Sequence, residues 1–444
     1  MATTYYCDLV DDFVDRTGLD ATTNKLTGPG GFMAALYGWG SATQLTPGDT
    51  LWLEGRAALE KLVKITYDTA DTSTWVAGDV VQNHNDGGGA SGDDWVGVLV
   101  NRDATTIWVQ INAASTDIDS VSTADGVDNT TRTETVAGAN MTAAEALGIE
   151  MMTGVAEGTQ ADGRINLWGT TDLTDAAANE GLAYLDGNEK AEHAVYVTLD
   201  DTDSYWCRYL SFEYATDTGF DTKSTIILFK FWRFEYCRFA NNSGSGCYCY
   251  LDSQLQFLAC IFRDNLSHGM EAAGGDGIAI WCLAEGNGGS GFRQLYFPGT
   301  FIQCLSYGNT SDNFLMQRTD TGNILLFECV AVGSTGGSGY FFSGNASMHA
   351  GSFVVGCRMI NNNQYGIEYN VSGTAESLHL ERYNVFYGNL QGDLELTDGL
   401  GSDTSYGDDS NHISDPADDG VDADYNVETG KEHRSTAIVL NWDS

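Results

Sequence analysis

The chain has 444 residues, enough for two or three ordinary domains or for one elongated repeat domain, and its 42% hydrophobic content can fill a core. It carries 62 Asp+Glu against 21 Lys+Arg, a formal net charge of −41, and a field of that sign disfavours nucleic acid and anionic membrane as partners. With 53 Gly, 4 Pro and many Thr, Asn, Asp and aromatic residues, the composition favours strands joined by tight turns, so an all-β chain is expected.

The N-terminal MATTYYCDLVDD has neither a basic n-region nor an apolar h-region, so no cleaved secretory signal is expected. No run reaches the roughly 18 apolar residues that a membrane-spanning helix needs. Residues 1–60 read as an N-terminal cap: Phe32–Tyr37 predicts one short helix, and Thr50–Leu53 an opening strand. Residues 61–135 read as a small inserted β module with strands at Trp75–Val81, Trp95–Val100 and Ile107–Ile111. Residues 136–190 form a connecting region with the first coils, predicting a helix near Thr142–Ala146 and a strand at Ile165–Trp168. Val195–Thr198 and Trp206–Phe212 would start a regular stack over 191–397, and an acidic closing segment follows over 398–444.

Within that stack the sequence repeats. Cys237, Cys260, Cys282, Cys304, Cys329 and Cys357 are each followed five residues later by Asn242, Asn265, Asn287, Asn309, Ser334 and Asn362, and a seventh copy has Asn384 and Asn389. Gly246, Gly269, Gly291, Gly339 and Gly366 come next, with Asn313 once in their place as a second residue type that tolerates a left-handed backbone. A short strand follows each, as in Phe314–Met316, Tyr340–Phe342 and Ile367–Tyr369, and the copies start 22 to 28 residues apart. Repeats of that length predict one coil per copy, stacked about 4.8 Å apart, with like residues in ladders. Alternation in Cys-Arg-Phe (237–239) and Cys-Arg-Met (357–359) places the Cys inward and the Arg outward, so the cysteines form a buried column of free thiols. Corner Asn residues hydrogen-bond from coil to coil, and Gly serves a sharp bend. Cys247 and Cys249 are expected on opposite faces of one strand and hence unable to chelate together. The sequons at Asn265, Asn309, Asn345 and Asn370 are expected by chance in so Asn-, Ser- and Thr-rich a chain.

The pattern N-x-x-x-G-apolar-x-apolar, coil after coil, resembles the right-handed parallel β-helix repeat of pectate-lyase-like proteins over about residues 190–430. Thr46-Pro47-Gly48-Asp49-Thr50-Leu51-Trp52-Leu53 is similar to the opening strand of such domains, and Asp415-Pro416 with Asp424-Tyr425 to their closing segment. The segment W-x-x-G-D-V-V followed by G-V-L-V resembles short β modules of phage structural proteins. The implied fold is a right-handed parallel β-helix with an N-terminal cap and a small inserted β module.

Such helices host sugar lyases and sugar hydrolases, which need calcium-binding acids with a base, or two carboxyls about 5–9.5 Å apart. The local candidates are Asp264, His268, Glu271 and Asp276, although Asp264 stands where other copies carry Gly or Asn and is more simply a corner residue. No phosphate loop, nucleophile elbow or H-E-x-x-H occurs. No cofactor or metal is therefore expected, apart from structural calcium in the Asp-rich segment from Asp398 to Asp424. The sequence is read first as a structural protein on a tailed-virus or archaeal-virus particle (spike, fibre, turret or capsid decoration), assembled in the host cytoplasm and exposed on the virion. Its expected partners are its own copies as a homotrimer, other virion proteins and a host-surface glycan, and outward Tyr248 and Tyr250 motivate the self-association. A polysaccharide lyase or glycosidase and a cell-surface adhesin are the alternatives. The excess of Asp over basic residues also resembles proteins of salt-loving organisms.

Overall fold

The structure is a computed structural model that describes residues 3–9, 25–39, 44–67, 72, 74–84, 95–111, 126–136, 141–151, 163–197, 204–222, 230–250, 253–274, 277–295, 298–318, 323–345, 352–372, 378–381, 384–396 and 412–413. Three parallel sheets form the body. The first has twelve strands, running from Lys25–Thr27 and Thr4–Asp8 to Leu378–Glu381; the second has eleven, from Arg56–Ala58 to His412–Ile413; the third has ten, from Ile149–Met151 to Gly392–Leu396. One coil visits them in turn: Lys230–Glu235 in the first sheet, Arg238–Ala240 in the second, Cys247–Cys249 in the third, then Ser253–Leu258 in the first again. Parallel neighbours joined by such crossovers take the right-handed sense.

Strict register converts the repeat into ladders. Pairings such as Phe239↔Phe262 and Phe234↔Phe257 place identical rings on successive coils. The rings stack with centroids 5.0 and 5.1 Å apart, close to the spacing of paired strands. The column Cys237, Cys260, Cys282, Cys304, Cys329 and Cys357 is buried and unbridged, as alternation predicted. Each thiol donates to carbonyls of its own and the preceding coil, as Cys260 Sγ does to Leu258 O and Phe234 O at 3.5 Å. Asn384 replaces the thiol in the last copy by accepting from Cys357 N at 2.8 Å and donating to Val354 O at 2.9 Å.

Each Cys-marked coil turns through two left-handed residues. One precedes the Asn, at Asn241, Asp264, Gly286, Gly308, Gly333, Asn361 and Gly388 (φ 51 to 65°). The other precedes the Cys, at Tyr236, Ala259, Trp281, Gln303, Glu328 and Gly356 (φ 51 to 64°), and no small-residue pattern marks it in the sequence. A non-Gly residue held there costs about 1–2 kcal/mol, so the surrounding stack holds these bulky residues in place.

Several expectations are corrected. The stack begins with the N-terminal strands, well before Val195, because Thr50–Glu54 pairs with Ile165–Thr170 across a long excursion. Met141–Glu145 is a strand where a helix was expected, pairing antiparallel with Leu62–Tyr67. It closes a seven-stranded antiparallel sheet between residues 62 and 145, and the strand near Trp75 starts only at Val80. Trp75 itself lies buried in that sheet's own core with Trp95. Cys247 and Cys249 share the interior face, with sulfurs 3.5 Å apart, since residues i and i+2 of a strand point the same way. The turn glycines are not left-handed: a Cβ on Gly246 would meet Gly269 O at 2.6 Å and Asn265 Nδ2 at 2.8 Å, so lack of room selects them. Asn313 is not left-handed either.

The cap helix Gly28–Tyr37 covers the first coil as expected, with Phe32, Met33, Ala35 and Leu36 in the main core. Buried Glu150 fastens the antiparallel sheet to the stack. It accepts from Lys64 Nζ at 2.8 Å and Trp108 Nε1 at 3.1 Å.

Candidate functional site

The corner that leads into the third sheet carries the polar side chains richest in chemistry, because the residue two positions before the strand stays partly buried while the second strand residue points outward. Register aligns the outward positions as Tyr196, Asp221, Tyr248, Glu271, Arg293, Leu315, Phe341 and Glu368. His268 and Glu271 meet here through Arg293, whose Nη1 lies 3.0 Å from His268 Nε2 and donates to Glu271 Oε1 at 3.0 Å. Ser245 Oγ donates to the other Glu271 oxygen at 3.2 Å, and Ser290 N donates to His268 Nδ1 at 2.9 Å.

Burial and the adjacent guanidinium lower the His268 pKa to about 4, which keeps the ring neutral. Burial raises the pKa of Glu271, and the opposing pull of Arg293 and Ser245 does not cancel it. Arg293 contributes a charge-assisted hydrogen bond and still fails to win, because desolvation of a partly buried carboxylate outweighs one ion pair. Asp312, one coil beyond Arg293, is pushed up to about 6 by burial first, against the hydrogen bond from Ser338 N and with reinforcement from Glu368.

Asp264 does not join this group in any hydrogen bond or ion pair found among the described residues. It occupies the left-handed corner (φ 55°), exposed and paired with Arg263 at 3.0 Å, which is the corner role its place in the repeat predicted. Asp276, the segment from Asp398 to Asp424 apart from His412–Ile413, and the pair Asp415-Pro416 with Asp424-Tyr425 lie outside the described residues. A second titratable group, Glu192, His193 and Asp217, brings its ligand atoms within 4.8 Å of one another at the same corner nearer the N-terminal end of the stack. Sequence reasoning passed over it because Glu192-His193 precede the first Cys-marked copy; the in-register pair Val195↔Phe220 is the relation that exposes it.

The corner Asn ladder runs unbroken from Asn242 through Asn265 and Asn287 to Asn309, each Nδ2 donating to the next Oδ1 at 2.9 Å. With three parallel sheets, two left-handed corners per Cys-marked coil and this ladder, the architecture is decided. The chain is a parallel β-helix.

No family model matches the chain, and no curated protein matches it in sequence. Solved structures similar to this β-helix include pectate lyase Pel9A, at 13% identity over 92% of this chain and 80% of that one, with a TM-score of 0.46. The A-module of the Azotobacter vinelandii mannuronan C-5 epimerase AlgE4 matches at 13% identity over 61% of this chain and 84% of that one, with a TM-score of 0.33. The tailspike protein gp49 from Pseudomonas phage LKA1 matches at 13% identity over 80% of this chain and 66% of that one, with a TM-score of 0.21. At these identities and scores no activity or partner is transferred.

Proposed function

We propose that this β-helix is a structural protein of a virus-particle surface, a rigid acidic rod that self-associates as a homotrimer. The observation that carries the reading is an apolar wall on the outside of the first and second sheets. Register stacks Ile280, Ile302, Phe327 and Val355 on the first sheet, and Leu283, Leu305 and Val330 on the second. Leu305, Tyr307 and Phe327 are 37, 41 and 38% exposed. In a chain of net charge −41 these apolar columns give a surface on which copies can approach with few like charges brought together, Glu328 being the exposed carboxylate at the corner between them. This wall, rather than Tyr248 and Tyr250, is the better candidate for self-association, since those two tyrosines are only part-exposed and lie near each other on the third sheet. Buried unbridged thiols fit assembly in a reducing cytoplasm. Light scattering on the purified chain should report a trimer that Leu305→Glu with Phe327→Glu converts to monomer. Mass spectrometry of particles purified from the source should find the chain among the virion proteins. A monomeric wild type, or particles lacking the chain, would overturn the reading.

A second reading, a polysaccharide-active β-helix, is favoured by the raised pKa of Glu271. That is the property of a general acid, and Asp221 stands two coils away in the same outward column. Two coil steps put the backbones about 10 Å apart, near the upper limit for an inverting carboxyl pair. Release of reducing ends from acidic or neutral polysaccharides, lost in Glu271→Gln, tests it.

A further inference from the structure

The corner near the N-terminal end of the third sheet holds a cluster that neither reading above uses. Glu192 and Asp217 occupy the same position on adjacent coils, three residues before the paired Val195 and Phe220, and Asp217 N donates to Glu192 O at 3.0 Å. In-register stacking therefore sets two carboxylates about one coil rise, ~4.8 Å, apart, an arrangement of like charges that is unfavourable on its own.

His193 lies against them with its side chain 4% exposed, stacked on Tyr196 at 4.8 Å. Its backbone is fixed on both sides: His193 N donates to Leu147 O at 3.2 Å and Ala194 N to Gly219 O at 3.0 Å. Nδ1 lies 3.2 Å from Thr218 O, and a carbonyl can only accept, so Nδ1 carries the proton. With the proton on Nδ1, Nε2 is the ring nitrogen that can act as a ligand, and it lies 3.6 Å from Glu192 Oε1. Asp221 Oδ2, 3.9 Å from Nδ1, adds a further negative charge beside the ring. Ligand atoms of the imidazole and the two carboxylates thus lie within 4.8 Å of one another, and the two like-charged carboxylates repel. A cation among them turns the repulsion into coordination. An imidazole whose second nitrogen donates to a backbone carbonyl is also the arrangement that fixes the tautomer of a metal-ligating His.

We propose that Glu192, His193 and Asp217 form a binding site for a divalent transition ion of the zinc class, which ties two successive coils together. One imidazole nitrogen with two carboxylate oxygens suits zinc, at about 2.0–2.2 Å from each ligand. It suits calcium poorly, since calcium takes six to eight oxygens. Glu192 and Asp217 are exposed, so their side chains can close onto the ion while water fills the remaining positions.

The full chain, stripped with EDTA, is titrated with zinc chloride by calorimetry and with cobalt chloride by visible absorption. Wild type is expected to take up one equivalent, to show cobalt bands of a nitrogen- and oxygen-ligated ion, and to melt at higher temperature with zinc. Asp217→Asn and Glu192→Gln change exposed side chains and should fold as wild type does, yet each should weaken binding at least tenfold. His193→Asn should abolish it, with circular dichroism of the metal-free variant checking the fold. Millimolar calcium should not compete. Zinc uptake that is absent in wild type, or equal in wild type, Asp217→Asn and Glu192→Gln, would overturn the site. So would nuclear magnetic resonance showing His193 doubly protonated at neutral pH in the presence of excess zinc.

Discussion

Replacing Asn313 by Gly would restore the residue type that most copies carry, and it should destabilise the protein. The reason lies one coil away, where Ser334 interrupts the Asn ladder. Asn313 supplies the missing amide: its Oδ1 accepts from Asn309 Nδ2 at 2.8 Å and Ser306 Oγ at 3.1 Å, and its Nδ2 donates to Asn362 Oδ1 at 2.9 Å and Val332 O at 3.2 Å. In the other copies the turn residue is Gly, because a Cβ there would press on the next coil's ladder Asn, as at Gly269 and Asn287 Nδ2 (2.9 Å). With Ser at 334 that space is open, and Asn313 fills it. Asn313→Gly removes four hydrogen bonds, three of them buried, each with a net value of about 0.5–1.5 kcal/mol, so a loss of roughly 2–6 kcal/mol is expected. Ser334→Asn alone forces a second amide against Asn313 and should cost about 1–3 kcal/mol as overpacking. The double variant rebuilds the regular ladder and should recover to within about 1 kcal/mol of wild type, giving a coupling of several kcal/mol in a double-mutant cycle. Urea unfolding followed by circular dichroism measures all four proteins. Additive losses, or an Asn313→Gly variant as stable as wild type, would refute this account of the ladder.

The ten cysteines should be silent to a thiol reagent in the native protein and all react after unfolding, since every one is buried and burial raises the thiol pKa of Cys207 and Cys247. Two buried groups should tilt stability with pH in opposite directions. His268, lowered from 6.5 to about 4, stays neutral in the fold while the unfolded chain takes a proton, so it contributes stability above about pH 6.5 that is lost on acidification toward 4, about 3 kcal/mol in all. Asp312, raised from 3.8 to about 6, favours the fold only while protonated, so its penalty is absent below about pH 4 and complete above 6, again about 3 kcal/mol. Urea midpoints from pH 4 to 7 should rise with pH in Asp312→Asn and fall in His268→Gln, and equal slopes in the two variants would contradict both assignments. Finally, a charge of −41 on stacked coils should lower the melting temperature at low ionic strength and let monovalent salt restore it, because the Debye length grows from about 3 Å at 1 M to about 30 Å at 0.01 M. A melting temperature flat across that range would remove self-repulsion, and with it the high-salt reading.

Much of the fold was legible in the chain itself. The spacing of Cys237, Cys260, Cys282 and their successors, with Asn five residues on, determined one coil per copy, the inward thiol column and the corner amide ladder, because parallel stacking repeats each environment every coil and selects the same residue there. Asp264 was identifiable as a corner for the same reason. The tertiary structure alone decided everything that depends on which residue of the next coil lies above. It showed that the turn glycines answer to crowding by the neighbouring amide and that Asn313 compensates for Ser334 one coil further on. It placed the opening strand Thr50–Glu54 against Ile165–Thr170, a pairing that the intervening antiparallel sheet hides in the sequence. It also brought His268 to Glu271 through Arg293, and Glu192-His193 to Asp217, from positions 22 to 25 residues apart. Neighbours in a β-helix are separated by a full coil whose length varies, so local periodicity names the layer of a residue, and only the register of the assembled stack names its partners.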